Sequence, residues 1–531
     1  MLRWHHRGML LRRFALRTLS LALVSALLAG HAPLGAQSAA ALPSLGDGAD
    51  LSPASERRLG DSIARQLYRD PDYLQDLVLM DYVQTIWQPL LAAARQRGEV
   101  LPLEEDLNAW QILLGRDRSV NAFALPGGYM GLHLGLIGAT QTRAELASVL
   151  AHELSHVTQR HIARNMARQS AMAPWVVGAM VLGILAASKG ADNAQGASAA
   201  VVGSQALAVQ SQLNYSRDME READRIGFAV VQEAGFSTQG FVDMFAILQQ
   251  SSRLTDGGGF SYLRSHPLTT ERMADMQSRI GVDAPPEQRS RQTPDPLADW
   301  VPRLMSARAR VLAQPDAQVL AVWFAQARDP ALATQPESQQ AAVLYGATLA
   351  AMQVRDWPLA VVLYPRLVER CHANPAALEQ AYWLGAELGL AVGDPARALA
   401  LLAQPSATRT TPARTQVLLA AQARSRSGAP AQAVADMRSW LADHPRDTAA
   451  WRVLSQAYGA LGNQVAAVRA EAEVSALEQD PAAALDRMRA AQDLVRAGKW
   501  GPRGPDYVEA SIVDSRVREL AALARQQALE R

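Results

Sequence analysis

Trp451, Leu454, Tyr458, Gly462, Ala467 and Val474 form a pattern that returns upstream at nearly constant spacing. A shift of 34 residues lands on Val417, Ala420, Arg424, Gly428, Ala433 and Trp440, and a further shift of about 35 on Tyr382, Gly385, Gly393 and Ala398. A period of that length holds one pair of helices, whose small residues let the helices approach closely. Such a pair cannot bury its apolar face alone, so pairs stack into a solenoid with a concave surface. The repeat therefore dictates an α-helical solenoid over 300–531. Only the copy around Trp451 shows the full pattern, so the number of repeats stays open. Such a surface commonly binds peptides or proteins, and a purely structural role is the alternative.

The 531-residue chain is 49% hydrophobic, enough for two or three folded units and too apolar for extended disorder. Its N-terminus is a different kind of segment. Arg3, Arg7, Arg12, Arg13 and Arg17 precede an apolar run from Leu19 to Leu28 and the small residues Gly35-Ala36, the three parts of a secretory signal peptide over 1–36. An uncleaved anchor is the alternative, although the apolar run is short for a span of roughly 20 residues. Without 1–36 the chain has 47 basic against 51 acidic side chains, so the formal charge changes from +1 to −4. No basic surface for nucleic acid is implied. The single cysteine, Cys371, cannot form an internal disulfide and reads as a small buried hydrophobe in a helix.

Residues 37–52 read as a flexible leader and 53–283 as one unit. Helical apolar spacing runs from Ser55 to Arg97, broken at Asp70-Pro71. Extended segments follow at Trp110–Leu114 and Val120–Ala124, then a turn at Pro126-Gly127-Gly128 and a further strand from Tyr129 to Leu132. A helix begins near Arg143. Residues 171–210 form two apolar arms of about 13 residues around a polar centre, each too short to cross a bilayer. They read as a helical hairpin that is either packed on the protein or in contact with a membrane surface or partner. Prolines 285, 286, 294 and 296 mark 284–299 as a linker.

The chemistry centres on His152-Glu153-Leu154-Ser155-His156. On a helix the i, i+4 spacing places both imidazoles on one face, where both reach one Zn²⁺, and Glu153 lies beside the metal, able to take a proton from water. Alone, this pattern also fits a helix with two surface histidines. A third ligand is required. Gln159 and Ile162 stand where a downstream Gly/His ligand pattern would need Gly and His, and His161 is rotated away, in place for an outer hydrogen bond. Glu220, 64 residues after His156, can bind the metal while Asp224, one turn later, orients a ligand imidazole. The alternative is a charged helix start with solvated acids. Asn121, Ala122, Phe123 and Ala124 offer an edge strand on which a peptide backbone can pair. The expected fold is mainly α: a gluzincin-type zinc metallopeptidase domain with a small β-sheet, followed by the helical solenoid.

Val120 to Gly128, His152 to His156, and Ser216-Arg217 to Glu220 with Ala223-Asp224 resemble the HtpX/CAAX-protease-like zinc metallopeptidases. The repeats are spaced as in tetratricopeptide repeats. With them, Leu42 to Gly46, Ser52 to Gly60 and Ser265-His266-Pro267 are similar to the periplasmic, repeat-fused branch of beta-barrel assembly-enhancing proteases. The resemblance covers nearly all of the chain after residue 36. It implies one Zn²⁺ held by His152, His156 and Glu220, with Glu153 as general base. It also implies a periplasmic location and a role in quality control of misfolded or stalled outer-membrane proteins. The barrel assembly machinery would then be a partner of the repeats. His266 is expected near the metal, either hydrogen-bonding the oxyanion or filling the open position to hold the enzyme latent; a loop histidine that caps a helix is the alternative. The rival reading of the whole is a non-proteolytic assembly chaperone or scaffold with a latent or structural zinc site.

Overall fold

A computed structural model describes residues 51–168, 217–253, 261–282, 298–406, 409–501 and 504–529. The expected signal peptide, nearly all of the leader, the 171–210 hairpin and most of the 284–299 linker lie outside the described residues.

The helix starts follow local chemistry. Ser52 caps Pro53–Tyr68 by accepting from the Ser55 N–H, with Pro53 in the first turn. Asp76 caps Leu77–Gln96. Thr142 and Glu145 form a reciprocal capping box on the motif helix, Arg143–Thr158. The break at Asp70-Pro71 falls where expected, but a two-residue strand, β1 (Tyr73–Leu74), follows it, too short for any periodicity to reveal. With β2 (Gln111–Gly115), β3 (Ala122–Leu125) and β4 (Tyr129–His133) it forms a sheet of order β1-β2-β4-β3. β2 runs parallel to β4, and the other pairs are antiparallel. Trp110, at φ +48, lies just before β2 instead of inside it. Pro126-Gly127-Gly128 supplies the turn between β3 and β4, with both glycines at positive φ. β3 pairs with β4 alone and so stands at the sheet edge, as its sequence suggests; Asn121 precedes it and is buried.

Almost every residue of the motif helix is buried, which is why it shows little amphipathic character. It packs between Leu77–Gln96, the acid helix Arg217–Glu233, the helix Gln239–Arg253 and β3. Gly227 brings the acid helix against it: a Cβ there would sit 3.2 Å from the Ala151 carbonyl and the His152 nitrogen. These are backbone atoms of a buried helix and have little room to yield. Gly227→Val is expected to spread the two helices and cost about 1–3 kcal/mol, read as a fall in the denaturation midpoint; an unchanged midpoint would show that the crossing tolerates the branch.

Helices 300–313 and 317–328 both pack on 337–353, and the pairs run 337–353 with 357–371, 375–392 with 395–402, 414–426 with 430–443, 448–460 with 464–477, and 481–496 with 507–529. Three of the four glycines of the repeat pattern, Gly393, Gly428 and Gly462, adopt positive φ in the turn between the helices of a pair, whereas Gly385 lies inside the helix Pro375–Val392. Cys371 ends a helix and is buried, as expected.

One hydrophobic core runs from Val78 in the peptidase part to Ala423 in the repeats. Buried Arg308 joins the two parts: it pairs with Asp76 at 2.7 and 2.8 Å and with Glu387 at 2.7 and 2.8 Å, and donates to the Tyr345 hydroxyl. Farther along, Thr415 donates to the Asp81 carboxylate and to the Leu77 carbonyl. The outer repeats also reach back, since Arg65 donates to the Gln479 carbonyl, Arg69 pairs with Asp480, and Gln75 binds Glu478. Among the described residues, no helix is long and apolar enough to cross a membrane.

Candidate active site

Two helices and a short segment supply the site. The motif helix places His152 and His156 one turn apart on the face toward the acid helix, with the two Nε2 atoms 3.0 Å from each other. The acid helix adds Glu220, with Oε2 3.4 Å from His152 Nε2 and Oε1 3.5 Å from His156 Nε2. The helix Ser261–Ser265 leads into His266, whose Nδ1 lies 3.0 Å from Glu220 Oε1 and 3.4 Å from His152 Nε2. One donor atom from each of these four buried residues falls within a 4.8 Å span.

This arrangement fits a metal ion. Ligand atoms about 2.0–2.2 Å from a tetrahedral centre stand roughly 3.3–3.6 Å apart, close to the separations observed. Two imidazole nitrogens converging on a buried carboxylate would otherwise leave lone pairs facing one another. Glu153 Oε1 is buried and receives no hydrogen bond among the described residues, whereas Glu220 Oε2 is ion-paired with Arg272. A buried oxygen like Glu153 Oε1 is costly unless a proton, an ion or a substrate completes it.

Around the four, a further set of polar groups fixes orientation. Asp224 Oδ1 is 3.0 Å from His152 Nδ1, so the imidazole turns its other nitrogen to the cluster. Arg272 binds Asp224 through two contacts at 2.6 and 2.7 Å, approaches Glu220 Oε2 at 2.8 Å and donates to the Pro267 carbonyl. It thereby ties the chain after His266 to both acids. Tyr262 stacks on the His266 ring at 4.7 Å. Glu153 Oε2 accepts the Ala124 N–H from edge strand β3 at 2.9 Å, and its Oε1 faces His266 Nε2 at 3.4 Å.

The electrostatics separate the two carboxyl groups beside the metal position. Burial dominates at Glu153 and pushes its carboxyl above the usual range, although His266 and His152 oppose this. Burial acts the same way on Glu220, but His266 and His152 outweigh it and hold that carboxyl well below the usual range. Burial also opposes charge on His152, yet its hydrogen bonds to the Asp224 and Glu220 carboxylates raise it to about 9. Burial and the neighbouring His152 keep His156 well below an ordinary imidazole. One acid stays charged as a ligand would, and the other is poised to accept a proton.

The structure brings together His152, Glu153, His156, Glu220, Asp224 and His266, with Ala124 of the edge strand touching Glu153. Asn121 precedes that strand, and Ala122 and Phe123 lie on it. His161 makes an outer hydrogen bond, as its position in the motif suggests, but for a different reason: the motif helix ends at Thr158 and His161 starts a new one. The sequence does not single out Arg272, Tyr262 or Glu222. Glu222 lies inside the acidic cluster that drew attention to Glu220, whereas Arg272 meets Asp224 across 48 residues with no local signal.

A buried His-Glu-x-x-His helix, a carboxylate from a later helix and an adjoining edge strand define a gluzincin-type metallopeptidase. The model of peptidase family M48 matches residues 82–280, which contain the whole cluster. A protein of Vibrio cholerae that bears the beta-barrel assembly-enhancing protease name is 31% identical over 468 residues, covering 86% of this chain and 89% of that protein. The beta-barrel assembly-enhancing protease of Escherichia coli K12 is 29% identical over 488 residues, covering 90% of this chain and 92% of its own. Metalloprotease YcaL of the same organism is 33% identical over 165 residues, 30% of this chain and 58% of that protein. The chain belongs to the family of beta-barrel assembly-enhancing proteases.

Proposed function

We propose that this protein is a periplasmic zinc metalloendopeptidase that hydrolyses misfolded or stalled outer-membrane proteins. In this reading the repeats bind the barrel assembly machinery or the substrate itself. The convergence of His152, His156 and Glu220, beside a buried Glu153 Oε1 that receives no hydrogen bond among the described residues, carries the enzymatic part. The names of the relatives and the secretory pattern of residues 1–36 support the substrate class and location. A surface contact of 171–210 with the membrane would bring the site near its substrates.

His152, His156 and Glu220 would hold one zinc ion, and Asp224 would keep His152 turned toward it. Bound zinc would supply Lewis acidity toward the scissile carbonyl and toward water. Glu153 takes the proton from the attacking water and passes it to the leaving amine. The Ala124 N–H holds the Glu153 carboxylate in place, so edge strand β3 both lines the substrate path and positions the base. Asn121 to Ala124 present an edge that a substrate backbone can extend.

His266 occupies the place of a fourth ligand, an arrangement that favours a latent resting state and gives the non-proteolytic scaffold reading its one structural support. Removing its imidazole distinguishes the possibilities. His266→Ala is expected to raise basal degradation of an unfolded outer-membrane protein severalfold if the imidazole is a latch, and to lower it if the imidazole binds the oxyanion. An unchanged rate excludes both roles. Metal analysis of residues 37–531 is expected to find one zinc per chain; a metal-free protein that still degrades the substrate would overturn the proposal.

A further inference from the structure

The geometry points to Glu222 and His161 as a relay that fixes the tautomer and orientation of the His156 imidazole, an inference that rests on the zinc site proposed above. His161 Nδ1 lies 2.8 Å from His156 Nδ1, and His161 Nε2 lies 3.0 Å from Glu222 Oε2. Two ring nitrogens that close share one proton. The Glu222 carboxylate can only accept, so the Nε2–H belongs to His161. A neutral His161 then has its lone pair at Nδ1 and accepts the Nδ1–H of His156. That leaves the His156 lone pair on Nε2, the atom facing His152 and Glu220. Every donor in the chain points the same way, from the metal position outward, ending where Arg164 holds Glu222 at 2.8 Å.

The backbone is built to deliver this contact. Arg160 adopts φ +50, a left-handed conformation that non-glycine residues seldom occupy. Its guanidinium is tied to Glu56 at 3.0 Å and to the Leu51 carbonyl. This pinned turn ends the motif helix and starts the next, so the His161 ring packs edge-on against His156 with centroids 4.8 Å apart. A continuous helix would have carried it around the axis and away.

The acid helix therefore supplies three carboxylates with different tasks. Glu220 faces the metal position, Asp224 grips His152 directly, and Glu222, lying between them in sequence, projects to the other side and reaches His156 only through His161. Each ligand imidazole ends in a carboxylate held by an arginine: Arg272 behind Asp224, Arg164 behind Glu222.

The test uses residues 37–531 and measures zinc affinity by competition with a chromophoric chelator, alongside the thermal midpoint of the apoprotein. His161→Leu and Glu222→Leu are expected to weaken zinc 10–100-fold, the usual effect of removing an outer partner of a ligand imidazole. Glu222→Gln, whose amide oxygen still accepts from His161 Nε2, is expected to retain most of the wild-type affinity. His156→Ala is the reference for a lost ligand. Should the two Leu variants bind zinc as the wild type does while His156→Ala does not, the relay is refuted and the ligand set stands. If His156→Ala also binds normally, the ligand assignment itself is wrong and the relay falls with it. A His161→Leu protein that does not fold leaves the Glu222 pair to decide, because Leu and Gln at 222 differ in accepting the hydrogen bond.

Discussion

Glu153→Gln is expected to lower peptide-bond hydrolysis roughly a thousandfold while leaving zinc content and fold unchanged. The side chain is fully buried, and one oxygen is committed to the Ala124 N–H. Glutamine matches its shape and keeps that hydrogen bond through its own carbonyl oxygen. What it lacks is the second oxygen, Oε1, which receives no hydrogen bond here and is free to take a proton. Burial already raises the Glu153 carboxyl, so it returns a proton less readily to bulk water and holds it for the leaving amine. None of the proposed ligands is altered, so zinc affinity should stay at the wild-type value. Measured side by side, near-normal proteolysis with full zinc occupancy would remove Glu153 from the role of general base. Loss of zinc together with activity would show that the substitution disturbed the site instead.

Arg308→Ala should destabilise the protein by about 3–5 kcal/mol, the range for removing one member of a buried ion-pair network. The guanidinium is 3% exposed and is the shared partner of Asp76 and Glu387. Without it, the Asp76 cap of Leu77–Gln96 and the Glu387 carboxylate face each other without a counter-charge, and the Tyr345 hydroxyl loses a donor. Burial, opposed by Arg308, already raises the Glu387 carboxyl above its ordinary value. A group raised in this way contributes stability that is lost as pH climbs through its folded value. Removing Arg308 raises that value further, so the variant's deficit should be largest near neutral pH and shrink in acid, where Glu387 protonates. Denaturation midpoints across that range test the sign. A deficit under about 1 kcal/mol at neutral pH would place the network among weak surface pairs.

How much of this could be read from the chain differs from part to part. His152, Glu153 and His156 are legible because their geometry is one helical turn, fixed by local hydrogen bonds. The pairing of Glu220 with Asp224 is legible for the same reason, although which acid faces the metal position depends on the resemblance as much as on spacing. The repeat turns at Gly393, Gly428 and Gly462 announce themselves because only a backbone at positive φ demands glycine so regularly. Arg272 and Glu222 depend on how the acid helix crosses the motif helix and on where the chain returns after Ser265. Periodicity carries no trace of a crossing. β1 is two residues long, below any pattern length, and exists because β2 offers it an edge. Helical spacing misplaces His161 because the helix stops at Thr158; the left-handed turn at Arg160 depends on Glu56 and Leu51, more than a hundred residues earlier.

The repeats touch the peptidase near their start through Arg308, midway through Thr415, and again farther on through Glu478, Gln479 and Asp480. A chain anchored at both ends behaves as an arch, not as a tail, and an arch tolerates no change in length. Inserting or deleting one helix pair between the anchors would carry residues 478–480 a full repeat out of register with Arg65, Arg69 and Gln75. The number of units is thus prescribed by the body they span. Homologues that vary it should do so beyond Asp480, where the closure is already complete.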